Sequence, residues 1–388
     1  MKYAKLMFQD IADSSRDKRE LATAADRGWQ ILLLSPRPNM KPYPAGAEVQ
    51  VLPSLEVSAR VPRLLRYLRI VRNWLGYVRA VSRVETDVLS CHDLPALRIG
   101  YVQNLLRAPA RRVKLVYDAH EFEIGRNTNG KRGRLATWRI KQEEGFLMKR
   151  CAFSIVVNDS IADAVQQIHH LQQRPVVVRS TPRLSVRDEA AIAANRRAML
   201  EALPGAEYLM MFHGNLVTAR GIPDLIRAAA RFPDVGLVLM GAQSDRKFAE
   251  ELRQLAETCG VSDRVLFHPA VPAERLPDYI GAVDLELMPI EPVVRSHYYV
   301  LPNKFFESVQ AEVPIVASDL PEMRRLIDRY EIGLCCQPND VDDLCRCIET
   351  MRSDPAFYAR CRENLKVAKQ DLCWEKERNV LEQAFATL

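Results

Sequence analysis

No apolar run in the chain approaches the roughly eighteen residues that a membrane-spanning helix needs. The opening MKYAKLMFQDIADSS is not the pattern of a secretory leader. No Cys-x-x-Cys pair occurs among the nine cysteines, which are odd in number and scattered from Cys91 to Cys373. Cys345 and Cys347 fall in a helical pattern that points their thiols apart. Reduced buried thiols are therefore expected rather than a disulfide framework or a zinc site, and a cytoplasmic location goes with them. No Gly-x-Gly-x-x-Gly follows the early strands, which disfavours a nicotinamide dehydrogenase. Asp340, Asp342 and Asp343 open a helix and read as caps and a solvated face, so no Asp-rich motif for a metal-bridged diphosphate is apparent and no metal is expected. Low-complexity segments and tandem repeats are also missing.

The 388 residues are 48% hydrophobic and 27% charged, a globular composition and enough chain for two cores. The net charge of +6 conceals an asymmetry. Residues 1–200 hold 34 Lys and Arg against 19 Asp and Glu; the remaining 188 hold 21 against 30. One half is basic and the other acidic, which suits two domains with different partners.

Strand candidates at 4–8, 29–35, 88–91, 113–118, 153–157 and 175–178 alternate with helical stretches, among them 16–27 and 136–150. The second half repeats the alternation with strands at 208–213, 235–240, 264–268, 285–289, 313–318 and 333–337, and helices such as 223–231 and 247–259. This order predicts an α/β protein of two Rossmann-like, doubly wound domains. The join falls within 179–206, giving domains at 1–190 and 205–370.

Much of the positive charge lies in ARVPRLLRYLRIVRNWLGYVRAVSRV, residues 59–84. Arg60, Arg63, Arg66, Arg69 and Arg72 recur every third residue, with Leu64, Leu65, Leu68, Ile70, Val71, Trp74, Leu75 and Tyr77 between them. An Arg-rich helix beside Leu, Trp and Tyr has the composition of an interfacial membrane helix, and anionic lipid contributes about 1 kcal/mol per well-placed Arg. A solvated surface helix is the alternative. A second basic segment at 125–141, GRNTNGKRGRLATWRIK, extends the same chemistry. No nucleic-acid-binding module accompanies either run.

Three junctions carry candidate chemistry. The strand VKLVYDAHE places His120 at its carboxyl end, where ligands of open parallel sheets gather. FHGNLVTARGIPDL is a strand–glycine–helix junction with Gly214, Asn215, Arg220 and Gly221, suited to a diphosphate. Gly241 ends the strand VGLVLMG as a close-approach point or a simple turn. YYVLPNKFFESVQAEVPIVASDLPEM runs from a loop into a short helix, a buried strand and a capped helix start. There Asn303, Lys304 and Glu307 put an amide, an ammonium and a carboxylate at one loop–helix junction. Lys304 and free backbone N–H groups suit phosphate oxygens, whereas Glu307 accepts from ribose hydroxyls. His213 and His268, both at strand ends, read as local backbone partners, and the His169–His170 pair reads as exposed.

The last of these stretches resembles the donor-binding motif of retaining nucleotide-sugar glycosyltransferases with the GT-B fold (family 4), in a variant reading PNK-x-FE. YDAHE and CHDLPAL resemble the corresponding first-domain segments of that family. The resemblance implies two Rossmann-like domains facing a cleft. The first would bind the acceptor and the second the nucleotide-sugar, with a last helix at 371–388 crossing back to the first domain. It further implies that His120 faces the transferred sugar and that Arg220 stands where the family places a lysine. Asn215 stands where an arginine is usual, leaving Lys304 to supply that charge, and Tyr299 stands where a sugar-binding glutamate is usual. The implied activity is metal-independent, retaining hexosyl transfer from a nucleotide diphosphosugar, UDP in preference to GDP. The acceptor would be a lipid-linked or growing glycan in bacterial surface polysaccharide synthesis, reached at the inner face of the membrane. Arg63, Arg66, Arg69 and Trp74 would form the membrane or acceptor surface. The nucleotide-sugar is a substrate, so no cofactor is implied, and no nucleic-acid partner is. An epimerase on the same fold and a non-catalytic partner subunit are the alternatives.

Overall fold

The computed structural model describes residues 1–8, 14–35, 46–52, 62–125 and 133–388, without the side chains of Arg63 and Leu64. It divides into two units, Met1–Ser180 with Glu377–Leu388, and Thr181–Lys376. The helix Glu189–Ala202 thus belongs to the second unit, where the sequence boundary at 190 splits it from that domain. The last helix, Trp374–Phe385, begins in the second unit, and its residues from Glu377 group with the first.

The first unit is built on a parallel sheet of β1 (Lys2–Leu6), β2 (Gln30–Ser35), β3 (Glu48–Val51), β4 (Val88–His92), β5 (Lys114–Asp118), β6 (Phe153–Val156) and β7 (Val176–Val177). Their order across the sheet is β3-β2-β1-β4-β5-β6-β7. The second unit holds β8 (Tyr208–His213), β9 (Val235–Met240), β10 (Val265–His268), β11 (Leu285–Met288), β12 (Ile315–Ser318) and β13 (Gly333–Cys336), ordered β10-β9-β8-β11-β12-β13. Each order reverses once, between β1 and β4 and between β8 and β11, and the crevice beyond the strand ends at such a reversal is where open α/β sheets bind ligands.

The central strands read as continuous apolar runs because helices cover both faces. Every residue of β9 is buried, and Phe212, Leu225, Leu237, Leu252, Leu285 and Ile348 meet in one core. Buried charges, Asp118 at the end of β5 among them, break the apolar rule at a few strand positions. Lys5 in β1 and Glu286 in β11 are fully buried charges, and each strand adjoins its sheet's reversal point. An ionic group so placed costs several kcal/mol unless it is paired. The partners of these two residues define the clusters described below.

Candidate functional site

In the second unit, β8 ends at His213 and the chain turns through Gly214, whose φ is 123°. Gly241, directly after β9, has φ 149°, and a Cβ there would lie 1.8 Å from the Gly214 carbonyl oxygen. The two strand ends touch backbone to backbone, so at Gly241 the close approach is to the Gly214 backbone and leaves no room for a side chain. Gly221 caps the helix Ile222–Ala229 at φ 67°, with the Pro289 carbonyl oxygen 1.9 Å from where a Cβ would be. Asn215 is exposed, and its Oδ1 accepts from Ser244 Oγ at 2.8 Å.

The helix Asn303–Ala311 starts at Pro302 without a side-chain cap, so its first N–H groups have no capping side chain. Phe305, Phe306 and Val309 anchor it in the core, while Asn303 stays exposed. Lys304 points inward. Its Nζ lies 3.3 Å from the Phe212 ring centroid and 3.6 Å from where a Gly214 Cβ would be, and among the described residues it has no hydrogen-bond partner. Burial, with Arg220 adding to it, outweighs the attraction of Glu286 and Glu307 and pulls the Lys304 ammonium down to about 7. Arg220 is half-buried, and burial lowers its pKa as well. Two cations with no carboxylate of the described residues inside hydrogen-bond range, beside a glycine turn and a helix start, form an anion site.

His213 is not the local backbone partner that its strand-end position suggested. Its Nδ1 lies 2.8 Å from Glu286 Oε1 and its Nε2 2.9 Å from Glu307 Oε2. Burial lowers its pKa, but the two carboxylates outweigh burial and raise it to about 9. Glu307 therefore shares its carboxylate with His213 while keeping its side chain about one-third exposed (32%). Tyr299 caps the short helix Arg295–Tyr298 and stacks edge-on against Tyr298 at 5.2 Å.

In the first unit the other buried strand charge gathers a larger network. Lys5 Nζ lies 2.6 Å from Asp17, 2.5 Å from Glu20 and 2.6 Å from Asp118. Arg16 pairs with the second oxygen of Asp118. Tyr3 Oη and Ser90 Oγ donate to Glu20 at 2.7 and 3.1 Å. His120 Nε2 lies 3.1 Å from Asp118 Oδ2 and 3.5 Å from Asp17 Oδ1, and its ring centroid is 4.0 Å from that of His92. Burial lowers the His120 pKa, yet Asp118 and Asp17 overcome both burial and Arg16 and raise it to about 9. Asp17 and Asp118 are held well below the usual carboxylate range because Lys5 and, at Asp118, Arg16 overcome their desolvation. Asp17, His92, Asp118 and His120 bring one ligand-type atom each within 4.8 Å of one another, a cluster that sequence spacing does not reveal. The Lys5 ammonium is the cation these carboxylates already contact, which is the chemistry of an ion-pair network rather than of a metal shell.

The two clusters lie in separate units, His120 in the first and Arg220, Lys304 and Glu307 in the second. Sequence reasoning missed Lys5, Asp17, Glu20, Glu286 and the role of His213. A charge at an inward position of an apolar strand, Lys5 in KYAKL and Glu286 in LELM, is the signal that exposes them. His268 Nδ1 does donate to a local carbonyl, that of Pro269 at 2.8 Å. His169, expected to be exposed, is buried against Glu144 at 3.1 Å, and only His170 is exposed.

The Arg-rich segment is a helix from Arg63 to Ser82. Arg66, Arg69 and Arg72 are exposed together with Leu65, Tyr67, Leu68, Ile70, Val71 and Leu75. Tyr77, grouped with these apolar residues on sequence, is fully buried with Val78 and Val81, and Trp74 is half-buried. The reason is geometric: a three-residue step falls about 60° short of a turn, so the arginines wind around the helix rather than marking one face. Its second half packs into the unit and its first half presents all sides. The Arg63 side chain, Arg60 and residues 126–132 lie outside the described residues. Beyond them, the helix Arg134–Met148 exposes Leu135 and Trp138. Among the described residues no helix is long and apolar enough to cross a membrane.

Comparison with known proteins bears on both units. Residues 200–367 match the model of glycosyl transferases group 1, and residues 19–181 that of Glycosyltransferase Family 4. The chain is 29% identical over 203 residues to D-inositol 3-phosphate glycosyltransferase of Xylanimonas cellulosilytica, covering 50% of this chain and 46% of that one. It is 30% identical over 172 residues to the lipopolysaccharide core biosynthesis glycosyltransferase LpsE of Rhizobium meliloti, covering 44% and 47%. The chain thus spans about half the length of the curated relatives it matches. Anabaena HepE in complex with UDP shares the fold with a TM-score of 0.78 at 17% identity, covering all of both chains. Sucrose-phosphate synthase of Thermosynechococcus elongatus does so with a TM-score of 0.77 at 17% identity, covering 100% and 98%. With two parallel α/β units and the GT-B fold, the chain thus matches the Glycosyltransferase Family 4 model in its first unit and the model of glycosyl transferases group 1 in its second.

Proposed function

We propose that the chain transfers a hexosyl group from a nucleotide diphosphosugar, UDP in preference to GDP, to a lipid-linked or growing glycan acceptor, with retention and without a metal. The observation that carries this reading is Lys304, a buried amine with no hydrogen-bond partner, set against the Gly214 turn near Arg220. A buried cation left unpaired is costly by itself. A diphosphate completes it.

In the reaction the bond from the sugar's anomeric carbon to the diphosphate oxygen breaks and a bond to the acceptor oxygen forms. The acceptor's proton passes to the leaving phosphate. Negative charge grows on the diphosphate as the sugar becomes oxocarbenium-like. Lys304, Arg220 and the N–H groups at Gly221 and at the start of the helix Asn303–Ala311 stabilise that charge selectively. Glu307 holds the ribose. His120, kept protonated by Asp118 and Asp17, donates to an oxygen of the transferred sugar or acceptor. Tyr299 replaces a carboxylate with a neutral phenol, so the sugar it meets is recognised without an anion. The exposed arginines and apolar residues of the helix Arg63–Ser82 support work at an anionic membrane surface on the inner face, and a relative named for lipopolysaccharide core biosynthesis supports surface polysaccharide as the product.

Thermal-shift measurements with UDP, GDP and ADP and their sugars test the reading. At a hundred times its Kd the right nucleotide adds about 2.7 kcal/mol of stability, a rise of a few degrees. UDP and its sugars are expected to give that rise, and silence from all the nucleotides would remove the donor assignment.

A further inference from the structure

His213 has a carboxylate on each ring nitrogen, Glu286 at 2.8 Å and Glu307 at 2.9 Å. An ionised carboxylate only accepts hydrogen bonds, and a neutral imidazole carries a single N–H. Two carboxylates on two ring nitrogens therefore call for two N–H donors, which is the imidazolium. The backbone supports the same geometry, because the His213 N–H also donates to Glu286 Oε1 at 3.3 Å. Glu286 is fully buried, whereas the Glu307 side chain is one-third exposed. A structural charge pair would be complete with Glu286 alone. The second carboxylate extends it from the sheet interior to the ligand-facing helix. Four charged groups meet here: Glu286 from β11, Glu307 and Lys304 from the helix Asn303–Ala311, and Arg220 from the turn after β8.

We propose that His213 is a positioning residue that, as an imidazolium clamped between Glu286 and Glu307, aims the free side of the Glu307 carboxylate at the nucleotide's ribose hydroxyls. This rests on the reading that Glu307 holds ribose, and it adds how that carboxylate is held.

The test compares binding of UDP with that of a UDP analogue lacking both ribose hydroxyls, in wild type, His213→Gln and Glu286→Gln. Wild type is expected to prefer UDP by at least about tenfold, evenly between pH 6 and 8. His213→Gln should bring the ratio toward one while changing affinity for the analogue little, a selectivity loss that general loosening does not produce. Glu286→Gln removes the anion holding the proton, so the preference should fall as pH rises through that range. Nitrogen-15 histidine spectra of wild type at pH 7.5 should show both His213 nitrogens protonated. An unchanged ratio in His213→Gln, or a His213 ring with one bare nitrogen at pH 7.5, overturns the proposal. A wild type that binds no UDP instead removes the donor reading beneath it.

Discussion

Lys304 makes a sharp prediction because its environment changes sign when an anion arrives. In the free protein the amine is buried against Phe212 with no hydrogen-bond partner, and its pKa is about 7. At pH 8 roughly one molecule in eleven then carries the proton. An opposite charge within about 4–6 Å lifts a pKa by roughly 1–3 units. A bound diphosphate raising it to about 9 protonates about nine molecules in ten at the same pH. Binding of UDP at pH 8 should therefore take up about 0.8 proton. His213 and His120, both at about 9 already, have only about 0.1 proton each left to gain. The secondary phosphate, with a pKa near 6, is ionised at pH 8 and contributes little there. Calorimetric titration with UDP in buffers of different ionisation enthalpy reads the uptake as the slope of observed against buffer enthalpy. In Lys304→Met the slope should drop to near zero, and at pH 5.5, where Lys304 is already charged, wild type should lose most of the Lys304 contribution. Tight binding at pH 8 without proton uptake, or the same uptake in Lys304→Met, would refute the placement of this amine against the diphosphate.

Four further outcomes follow from the geometry. His120→Ala should abolish transfer while leaving nucleotide affinity within about twofold, whereas Glu307→Ala should weaken nucleotide binding about tenfold or more; full turnover in His120→Ala would refute its catalytic assignment. Gly241→Ala forces a Cβ to 1.8 Å from the Gly214 carbonyl oxygen at a φ of 149°, so it should cost more than about 3 kcal/mol of stability in a denaturant titration, or fold with nucleotide binding lost. The His120 pKa rises from 6.5 to about 9 on folding, so its contribution is fully present below pH 6.5 and fades as pH climbs through 9. The stability difference between wild type and His120→Gln should accordingly shrink by about 3 kcal/mol over that window, and a flat difference counts against the Asp118 pairing. Arg66, Arg69 and Arg72 changed together to Glu should release the protein from liposomes containing anionic lipid in a flotation assay; unchanged flotation removes the membrane surface.

What the sequence reveals and what it hides separate along a physical line. Strands such as Tyr208–His213 and Val235–Met240 are legible to the residue because their burial on both faces demands unbroken apolar runs between turn residues. The strand Glu48–Val51 is not, since an edge strand with mostly exposed residues has no apolar pattern to show. Helix starts at Pro321 and near Arg246 are marked by proline and by the Asp245 cap. Glu307 and Lys304 are legible as a pair because they share one helix.

The charged partners of these groups are invisible for the opposite reason. Lys5 meets Asp118 across 113 residues, and His213 meets Glu286 across 73. Such pairs form only when the sheet brings together strands far apart in the chain, β8 beside β11 and β1 with β5 on either side of β4, and local spacing holds no trace of that. What remains readable is the anomaly itself, a charge at an inward position of an apolar strand. Burying that charge without a partner would cost more than the strand gains from its neighbours, so its presence in KYAKL or LELM already requires a counter-charge elsewhere in the fold. In both units the buried charge and its partners gather near the sheet's reversal point, and in both a carboxylate of the group holds a histidine protonated. The same energetic constraint that obliges each buried strand charge to find a partner thus also supplies fixed cations at the two places where a parallel sheet opens to ligand.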